Sequence, residues 1–392
     1  MKIAIMGIRG IPANYGGFET FAEELAPRLV ERGHEVTVYG RSNNVKHQGE
    51  YYRGVRLVIL PTIAHKYFDT VAHTFFCVLH ALKERYDAIL ICNCANSAFA
   101  WIPRLGRQKV ALNVDGLEWK RQKWNQLGKM YYRISERIAT FTPNEVVTDA
   151  RDIEKYYLQT YNKRSTFIPY GAPVHRVHTR EVLERLGVSP RKYVLYVSRL
   201  EPENNAHLVV RAYEKVKTDM PLLIVGDAPY SADYIRELKS TKDTRVIFTG
   251  YIFGQGYREL QSHAYFYIQA TEVGGTHPAL IESMGHGNCV LANDVPEHRE
   301  VLSDAGWYFT TREPEDLSRK IQTLIDQPQT VERYRALAVR RIEENYTWDK
   351  VTEQYERLFF RMVDGKFTHT PGRAPAQETY EKKQRAHHYS GV

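Results

Sequence analysis

Short apolar runs alternate with longer amphipathic runs along most of this chain, in two successive series. The first series begins with a strand-like run at 2–6, a helical pattern at 17–31 and a second strand-like run at 35–39. Within 17–31 the apolar side chains recur at helical spacing: Phe18, Phe21, Ala22, Leu25 and Leu29. Such βαβ units, repeated along the chain, predict a parallel sheet with helices on both faces.

The second series begins after a turn-forming segment at 167–173, which contains prolines and a glycine. A chain of 392 residues is too long for a single ordinary core, so the two series predict two domains. We expect a first domain at 1–170 and a second at 171–348, both Rossmann-like, doubly wound α/β units that face each other across a cleft. A helix at 349–362 is expected to return to the first domain, and the polar segment 363–392 is expected to be a mobile tail.

Two Gly-Gly pairs each open an amphipathic helix, one pair in each predicted domain. The first pair is Gly16-Gly17, and the second is Gly274-Gly275, which is followed by Thr276. Backbone N–H groups are unpaired at a helix start, and the helix dipole places partial positive charge there. Glycine also allows a ligand to approach the backbone closely. The pairs therefore predict two anion seats that together hold a diphosphate in the cleft.

Other phosphate-binding and metal-binding motifs are missing from the chain. A dinucleotide-binding domain places an acidic residue at the end of its second strand, where this chain reads Tyr39-Gly40-Arg41. The first loop is longer than a Gly-x-Gly-x-x-Gly turn and lacks the lysine of a Walker motif. The chain also has no Asp-x-Asp motif to hold a divalent cation. We therefore predict no nicotinamide or flavin cofactor and no metal.

Positive charge is concentrated in the first domain. Residues 1–170 contain 24 Lys and Arg against 16 Asp and Glu, whereas residues 171–392 contain 30 of each group. A basic domain is attracted to anionic lipid or to a phosphorylated acceptor, although proteins with neither partner also carry such a surplus. No basic cluster with interleaved aromatic residues indicates nucleic-acid binding. The apolar runs are too short for a membrane span or a secretory signal, which predicts a cytoplasmic protein, with the inner face of the membrane as a docking place.

The chain resembles a large family of glycosyltransferases at three positions. In that family a Gly-Gly loop approaches the donor diphosphate, a strand of the second domain ends in Gly-Arg-Leu-x-x-Glu-Lys-Gly, and a helix carries a Glu that binds ribose hydroxyls. This chain has Gly16-Gly17, Ser-Arg-Leu-Glu-Pro-Glu-Asn-Asn at 198–205, and Glu282. The resemblance extends from residue 1 to about 360. It is to the retaining GT-B glycosyltransferases of family four, closest to the bacterial rhamnosyltransferases of capsule and cell-wall polysaccharide synthesis.

The resemblance implies a role for each matching residue. Arg199 would grip the donor phosphates with its planar guanidinium, and Asp115 stands where many relatives have a His that touches the transferred sugar. We expect these two residues to be catalytic. The residues expected to bind the donor are Gly16, Gly17, Arg199, Gly274, Gly275, Thr276, His277 and Glu282.

Two positions depart from the family pattern. Asn204 replaces a phosphate-binding Lys, so Arg199 lacks its usual cationic companion. The family's paired Glu residues are separated by seven positions, whereas nine residues lie between Glu272 and Glu282. Glu282 is therefore retained as a ribose ligand, and Glu272 is not.

Each assigned residue also has a simpler interpretation. Arg199 is compatible with a surface ion pair to Glu201 or Glu203, Glu282 with an ordinary helix-surface carboxylate, and His277 with a helix cap. Asp115 is compatible with a role in the turn that follows it.

The acceptor side of the cleft is less defined in the sequence. Glu118, Lys120 and Arg121 follow Asp115 and are predicted acceptor contacts. The two cations either supply the charge that is missing at Asn204 or are simply solvated. A helical stretch at 70–85 contains Phe75, Phe76 and Leu79, which suit either a membrane-facing helix or core packing.

The predicted activity is transfer of a sugar, with retention of configuration, to a saccharide or a lipid-linked saccharide. L-Rhamnose from dTDP-rhamnose is the leading donor by resemblance, and a hexose from a UDP- or GDP-sugar is its nearest rival. Two other functions fit the same fold: a nucleotide-sugar epimerase, and a donor-binding scaffold without turnover. The sequence predicts neither the acceptor nor the oligomeric state.

Overall fold

Two sheets, each flanked by helices, organise the chain. A computed structural model describes residues 1–13, 16–63, 68–121, 124–228, 231–272, 276–311, 313 and 315–365. The strands of the two sheets do not mix, since the first sheet uses residues up to Phe167 and the second begins at Val194. The predicted pair of doubly wound α/β domains is confirmed.

Eight strands form the sheet of the first domain. They are β1 (Lys2–Met6), β2 (Glu35–Arg41), β3 (Tyr51–Tyr52), β4 (Val55–Leu60), β5 (Ala88–Cys92), β6 (Lys109–Asn113), β7 (Glu145–Thr148) and β8 (Thr166–Phe167). Their order across the sheet is β3-β4-β2-β1-β5-β6-β7-β8, with β3 antiparallel to β4 and the other neighbours parallel. The strand order reverses beside β1, and such a switch point is where open α/β sheets bind ligands.

Helices cover both faces of this sheet. They are α1 (Gly17–Glu31), α2 (Asp69–Glu84), α3 (Ile102–Leu105), α4 (Gln126–Ala139) and α5 (Arg151–Tyr161), with short 3-10 helices at Cys94–Phe99 and Glu118–Lys120. The pattern read from 17–31 matches α1, whose Phe21, Leu25 and Leu29 are fully buried. Every residue of β5 is buried because helices cover the sheet on both sides.

Six parallel strands form the second sheet. They are β9 (Val194–Val197), β10 (Leu222–Val225), β11 (Val246–Gly250), β12 (Phe266–Gln269), β13 (Val290–Asn293) and β14 (Trp307–Phe309). The order is β11-β10-β9-β12-β13-β14, so the switch point lies between β9 and β12. The helices of this half are α6 (Glu181–Leu186), α7 (Ala206–Tyr213), α8 (Ala232–Leu238), α9 (Gly254–His263), α10 (Pro278–Gly285), α11 (Pro296–Leu302), α12 (Asp316–Asp326) and α13 (Pro328–Asn345), with a 3-10 helix at Pro202–Asn204.

The last helix, α14 (Trp348–Asp364), packs against the first domain. The Tyr355 ring lies 5.3 Å from the Phe21 ring of α1, centroid to centroid, and Asn113 Nδ2 donates to the Tyr355 hydroxyl at 3.0 Å. Its end differs from the predicted tail at 363–392, because 363 and 364 are still helical. The segment 366–392 lies outside the described residues.

Candidate active site in the interdomain cleft

A cleft of about 1110 Å³ separates the two domains. Residues that follow β1, β5 and β6 line its first wall, and residues that follow β9, β10 and β12 line its second. The cleft therefore lies at the carboxyl ends of strands beside both switch points, where a parallel sheet leaves its loops free to bind ligands. Most residues that the sequence assigned to donor and acceptor share this one space: Gly16, Gly17, Asp115, Glu118, Arg121, Arg199, Thr276, His277 and Glu282.

The starts of α1 and α10 meet across the cleft. A Cβ built on Gly17 would lie 3.1 Å from Pro278 Cγ, so the starts of α1 and α10 are in close contact and a side chain at 17 would require Pro278 to shift by a few tenths of an ångström. Gly16 has an extended backbone before α1, and no side chain caps either helix within the described residues. The first N–H groups of α1 are thus available to an anion at the point where the domains approach each other.

The start of α10 is linked to the first domain by Asp149, which follows β7. The Thr276 backbone N–H donates to Asp149 Oδ2 at 3.1 Å, and Thr276 Oγ1 donates to the Asp149 carbonyl oxygen at 2.5 Å. The sequence predicted that this N–H faces the donor; in the structure it is bonded to Asp149 instead. Gly274 and Gly275, the rest of the predicted seat, lie outside the described residues.

Arg199 follows β9 and lines the cleft beside the second switch point. Its carbonyl oxygen accepts hydrogen bonds from Asn204 Nδ2 at 2.6 Å and from Ser198 Oγ at 2.7 Å. Asn204 therefore stabilises the turn that carries Arg199 and does not replace the charge of the family's Lys. Both carboxylate oxygens of Glu203 lack a hydrogen-bond partner among the described residues, so the alternative pairing of Arg199 with Glu203 does not form a hydrogen bond.

Arg121 lies in a group of carboxylates. Its Nε is 2.5 Å from Glu118 Oε1, and Trp124 Nε1 donates to Glu118 Oε2 at 3.0 Å. Burial lowers the pKa of Arg121, but the surrounding carboxylates outweigh burial and raise it. Those carboxylates belong to Glu118, Asp115, Glu201 and Glu203. Arg121 is thus neither solvated nor an unpaired substitute for the missing Lys.

Lys120, the other predicted acceptor cation, does not line the cleft. Its side chain is exposed, and Nζ lies 5.9 Å from the centre of the Trp119 ring. The structure therefore separates Lys120 from Glu118 and Arg121, the two acceptor candidates beside it in the sequence.

Asp115 has a left-handed backbone at the end of the loop after β6, with φ of 61°. Its N–H donates to Asn113 Oδ1 at 3.0 Å, which shapes the turn. Burial raises the pKa of the Asp115 carboxyl, and Glu118 raises it further, while Arg121, a hydrogen bond from the Gly116 backbone and Arg199 oppose that rise. The carboxyl is therefore within electrostatic reach of Arg199 from the opposite domain, and it also has the turn contact that its simpler interpretation requires.

Glu282 lies on α10 and faces a tyrosine across the cleft wall. The Tyr257 hydroxyl donates to Glu282 Oε2 at 2.6 Å. Burial raises the pKa of Glu282 from 4.5 to about 7, and the Tyr257 hydrogen bond only partly opposes this change. Burial disfavours the charged form of this carboxylate, so a ligand hydroxyl that donates a hydrogen bond to it would stabilise that form.

His277 precedes α10 and lies against a second histidine. The rings of His277 and His298 are 5.0 Å apart, centroid to centroid. Burial lowers the pKa of His277 well below its usual range, and the positive charges of Arg121 and Arg199 lower it further. The imidazole is therefore neutral at physiological pH, which suits hydrogen bonding to a sugar or phosphate oxygen.

Sequence comparison divides the chain at the same junction as the fold. Residues 191–327 match the family described as glycosyl transferases group 1, and residues 1–173 match a domain of unknown function, DUF1972. O-antigen chain mannosyltransferase C from Escherichia coli is 22% identical over 389 residues, which cover 91% of this chain and 97% of that protein.

Solved glycosyltransferase structures superpose on nearly the whole chain. Sucrose-phosphate synthase from Thermosynechococcus elongatus gives a TM-score of 0.76 at 17% identity, covering 93% of this chain and 100% of that one. Anabaena HepE in complex with UDP-glucose gives 0.73 at 16% identity, covering 91% and 99%. The chain has the GT-B fold, and its residues 191–327 match the group 1 glycosyltransferase family. Among the residues that the structure describes, no helix of this GT-B protein is long and apolar enough to cross a membrane, and no cluster of three metal-ligating side chains occurs.

Three residues at or near the cleft had no assigned binding role in the sequence analysis. Glu203 is buried in the cleft wall, Arg258 lines the cleft near Glu282, and Asp149 joins the domains. Asp149 follows β7, as Asp115 follows the neighbouring β6. The position of Asp149 at a strand end could therefore have indicated that it lies near the cleft. Glu203 matches the Glu of the family pattern Gly-Arg-Leu-x-x-Glu-Lys-Gly, whereas no pattern in the sequence indicated a role for Arg258.

Proposed function

We propose that the protein transfers a sugar from a nucleoside diphosphate to an acceptor hydroxyl, and that the sugar is L-rhamnose carried on dTDP. The observation that supports transfer is the meeting of α1, α10 and Arg199 in one cleft. An uncapped helix start and a guanidinium attract the diphosphate, and the separate domains leave room for donor and acceptor. The rhamnosyl group is proposed on resemblance, because the compared proteins use other sugars.

The proposed step replaces one bond to the anomeric carbon with another on the same face. The bond from that carbon to the diphosphate oxygen breaks, the acceptor oxygen forms its bond from the same side, and the acceptor proton passes to the departing phosphate. Negative charge grows on the diphosphate during this step, so groups that bind it more strongly in the transition state accelerate it. Arg199 and the N–H groups of α1 supply that stabilisation in our proposal, without a divalent cation.

The remaining donor contacts follow from the positions of the side chains. Glu282 would accept hydrogen bonds from the ribose hydroxyls. Tyr251 and Phe253 are exposed at the cleft, with their rings stacked at 5.4 Å and 18°, and they would contact the base. A stacked aromatic pair offers a face to any base, so the choice of thymine over uracil would depend on backbone contacts in the same loop.

The acceptor would enter from the first domain. Asp115 would orient the sugar or the acceptor hydroxyl, and the Glu118–Arg121 pair would hold acceptor hydroxyls beside it. We propose a lipid-linked saccharide as acceptor, because the basic charge of the chain lies in this domain and suits an anionic membrane face.

A transfer assay with a panel of nucleotide sugars tests the proposal. Purified protein is incubated with dTDP-rhamnose, UDP-glucose or GDP-mannose, a lipid-linked acceptor and EDTA, and the product linkage is read by NMR. We expect an α-linked or β-linked product that keeps the donor's configuration, formed fastest from dTDP-rhamnose. A product with inverted configuration contradicts retention, and a requirement for added metal contradicts metal-independent transfer. Rearrangement of the donor without acceptor, as an epimerase would give, contradicts transfer itself.

A further inference from the structure

Helix α4 carries its apolar stripe on the side that faces solvent. The large apolar residues at Leu127, Met130 and Ile134 are 70%, 54% and 51% exposed, and Phe141 just beyond the helix is 64% exposed. Spacings of three and four residues place such side chains along one side of a helix. The stripe is therefore a continuous outward face and does not contribute to the core.

The buried side of α4 includes two polar residues. Ser135 and Glu136 face inward, and Glu136 Oε2 accepts hydrogen bonds from the hydroxyls of Tyr156 at 2.9 Å and Tyr161 at 3.1 Å. The helix therefore buries a carboxylate beside Tyr132 and Ala139, while Leu127 and Ile134 point out to solvent. Contiguous exposed apolar side chains of this kind mark sites of contact with a protein or a membrane.

Neighbouring elements extend the stripe into a broad surface. The Phe75 ring of α2 lies 5.7 Å from Phe99 of the 3-10 helix, and the Tyr131 hydroxyl of α4 donates to the Ala95 carbonyl at 2.6 Å. Arg104 of α3 donates to the Thr142 carbonyl at 2.6 Å, which joins α3 to the end of α4. We call this surface the apolar face. Its exposed members are Phe75, Phe76, Leu79, Trp101, Leu105, Leu127, Met130, Tyr131, Ile134 and Phe141.

Basic side chains predominate in two stretches of chain that carry much of the apolar face. No acidic residue occurs between Asp87 and Asp115, or between Glu118 and Glu136. These stretches expose Arg104, Arg107 and Arg133, and the exposed Arg137 follows just beyond the second stretch. A surface that combines exposed apolar rings with arginines complements the headgroups and acyl boundary of an anionic bilayer.

The apolar face begins at the rim of the cleft. Asp69 and Thr70, at the start of α2, line the cleft, and so does Trp124, just before α4. A bilayer against this face would therefore hold the open side of the cleft at the membrane surface, within reach of an acceptor anchored there.

We propose that the apolar face docks the first domain on an anionic lipid bilayer. The inference builds on the proposed transfer to a lipid-linked acceptor, but its test does not depend on that transfer. The exposed apolar side chains would insert at the acyl boundary, and the arginines would contact lipid phosphates.

Vesicle sedimentation of the full chain tests this docking. The probe is vesicles of phosphatidylcholine alone or of equal parts phosphatidylcholine and phosphatidylglycerol, at low and at high salt. We expect binding to the anionic vesicles that weakens with salt, and a loss of about tenfold or more in the double variant Leu127→Ser/Ile134→Ser. The matched control, Tyr51→Ser/Leu158→Ser, removes two exposed apolar residues elsewhere on the first domain and should bind normally.

A second readout uses the tryptophan on the apolar face. Trp101 is 48% exposed, and brominated lipids should quench its fluorescence, with the quenching reduced in Trp101→Phe. Wild-type protein that stays in the supernatant with anionic vesicles overturns the docking. The docking is also overturned if the wild type is a dimer in solution, Leu127→Ser/Ile134→Ser is a monomer, and both bind vesicles equally. The apolar face would then be a contact between two copies of the chain. Transfer to a water-soluble acceptor, measured on the same variants, reports separately on the proposed activity and should be unaffected.

Discussion

The two domains share a fold but differ in what they expose. Among the described residues, fifteen large apolar side chains are exposed in 1–170, whereas the second domain exposes two, Tyr251 and Phe253, both at the cleft. Exposed arginines of the second domain are commonly paired with acids. Examples are Arg211 with Glu237, Arg299 with Asp294, and Arg340 with Glu344.

This contrast indicates a division of labour between the domains. The second domain surrounds its cleft wall with a water-compatible surface, which suits a part that binds a small, soluble, anionic donor. The first domain exposes apolar side chains and arginines on the apolar face, and exposed apolar surface raises the tendency to associate. The comparison therefore predicts that substitutions in the cleft act on activity and that substitutions on the apolar face act on location.

The largest effect is expected at Arg199, on the donor side of the comparison. Arg199→Ala should slow transfer about a hundredfold to a thousandfold, because the departing diphosphate loses a positively charged group that donates hydrogen bonds to it. Arg199→Lys should recover part of the rate, since it retains the charge without the fork. The control is Arg211→Ala, which removes an exposed arginine from the same domain and should be silent. Steady-state kinetics with saturating donor measure both; full turnover by Arg199→Ala refutes the phosphate role.

The next effect is expected at Glu282. Glu282→Gln should raise the donor KM by about tenfold to a hundredfold, because a carboxylate that accepts ribose hydroxyls is replaced by a weaker amide. The neighbouring Glu297, which lies outside the cleft lining, offers a matched control as Glu297→Gln. An unchanged donor KM in Glu282→Gln contradicts the ribose assignment.

The raised pKa of Glu282 adds a pH dependence to that prediction. Donor binding needs the ionised form of Glu282, so donor affinity should fall as the pH drops below about 7, and Glu282→Gln should lose this dependence.

The stability of the fold should change with pH in the opposite direction. The folded protein keeps the proton up to about pH 7 while the unfolded carboxyl releases it near 4.5, so this group lowers stability as pH rises between those values. The melting temperature of Glu282→Gln should therefore exceed that of the wild type at pH 8 and match it at pH 4; a constant difference contradicts the shift.

A smaller effect is expected at the link between the domains. Asp149→Ala should lower stability by about 1–3 kcal/mol, because it leaves the buried Thr276 N–H without an acceptor. Asp149→Asn keeps an acceptor oxygen and should cost less. Denaturant unfolding monitored by tryptophan fluorescence compares the two, and equal losses show that the carboxylate charge matters more than the hydrogen bond.

The smallest effect is expected on the apolar face itself. Leu127→Ser/Ile134→Ser should change the free energy of unfolding by no more than about 0.5 kcal/mol per site, as substitutions at exposed positions do. Leu25→Ala, in the buried side of α1, should cost about 2–5 kcal/mol. Comparable losses in both proteins mean that another part of the chain covers the apolar face.

The sequence predicts the local structure of the chain better than its contacts. Helical spacing in 17–31 locates α1 and its buried side, since local periodicity and burial agree there. An apolar stripe also occurs at helical spacing in 126–139, but the structure turns it outward, and Glu136 on the inner side accepts hydrogen bonds from Tyr156 and Tyr161. The link from Thr276 to Asp149 joins residues 127 positions apart, and no local pattern records such a contact.

The cleft itself follows the same rule. Gly16 and Arg199 were predictable because they stand at a helix start and a strand end, whereas Glu282 was assigned by resemblance. Their chemistry was not, because the pKa of Glu282 and the pairing of Arg121 depend on groups from several elements.

Isothermal titration calorimetry with nucleoside diphosphates, in EDTA, tests the central claim most directly. The claim is that the start of α1 and Arg199 hold a diphosphate between the two domains without a divalent cation. We predict that dTDP binds the wild-type protein and that Arg199→Ala weakens it at least about tenfold, while Arg211→Ala binds normally. Binding of an adenine dinucleotide in place of dTDP, UDP and GDP, or dTDP binding unaffected by Arg199→Ala, would contradict it.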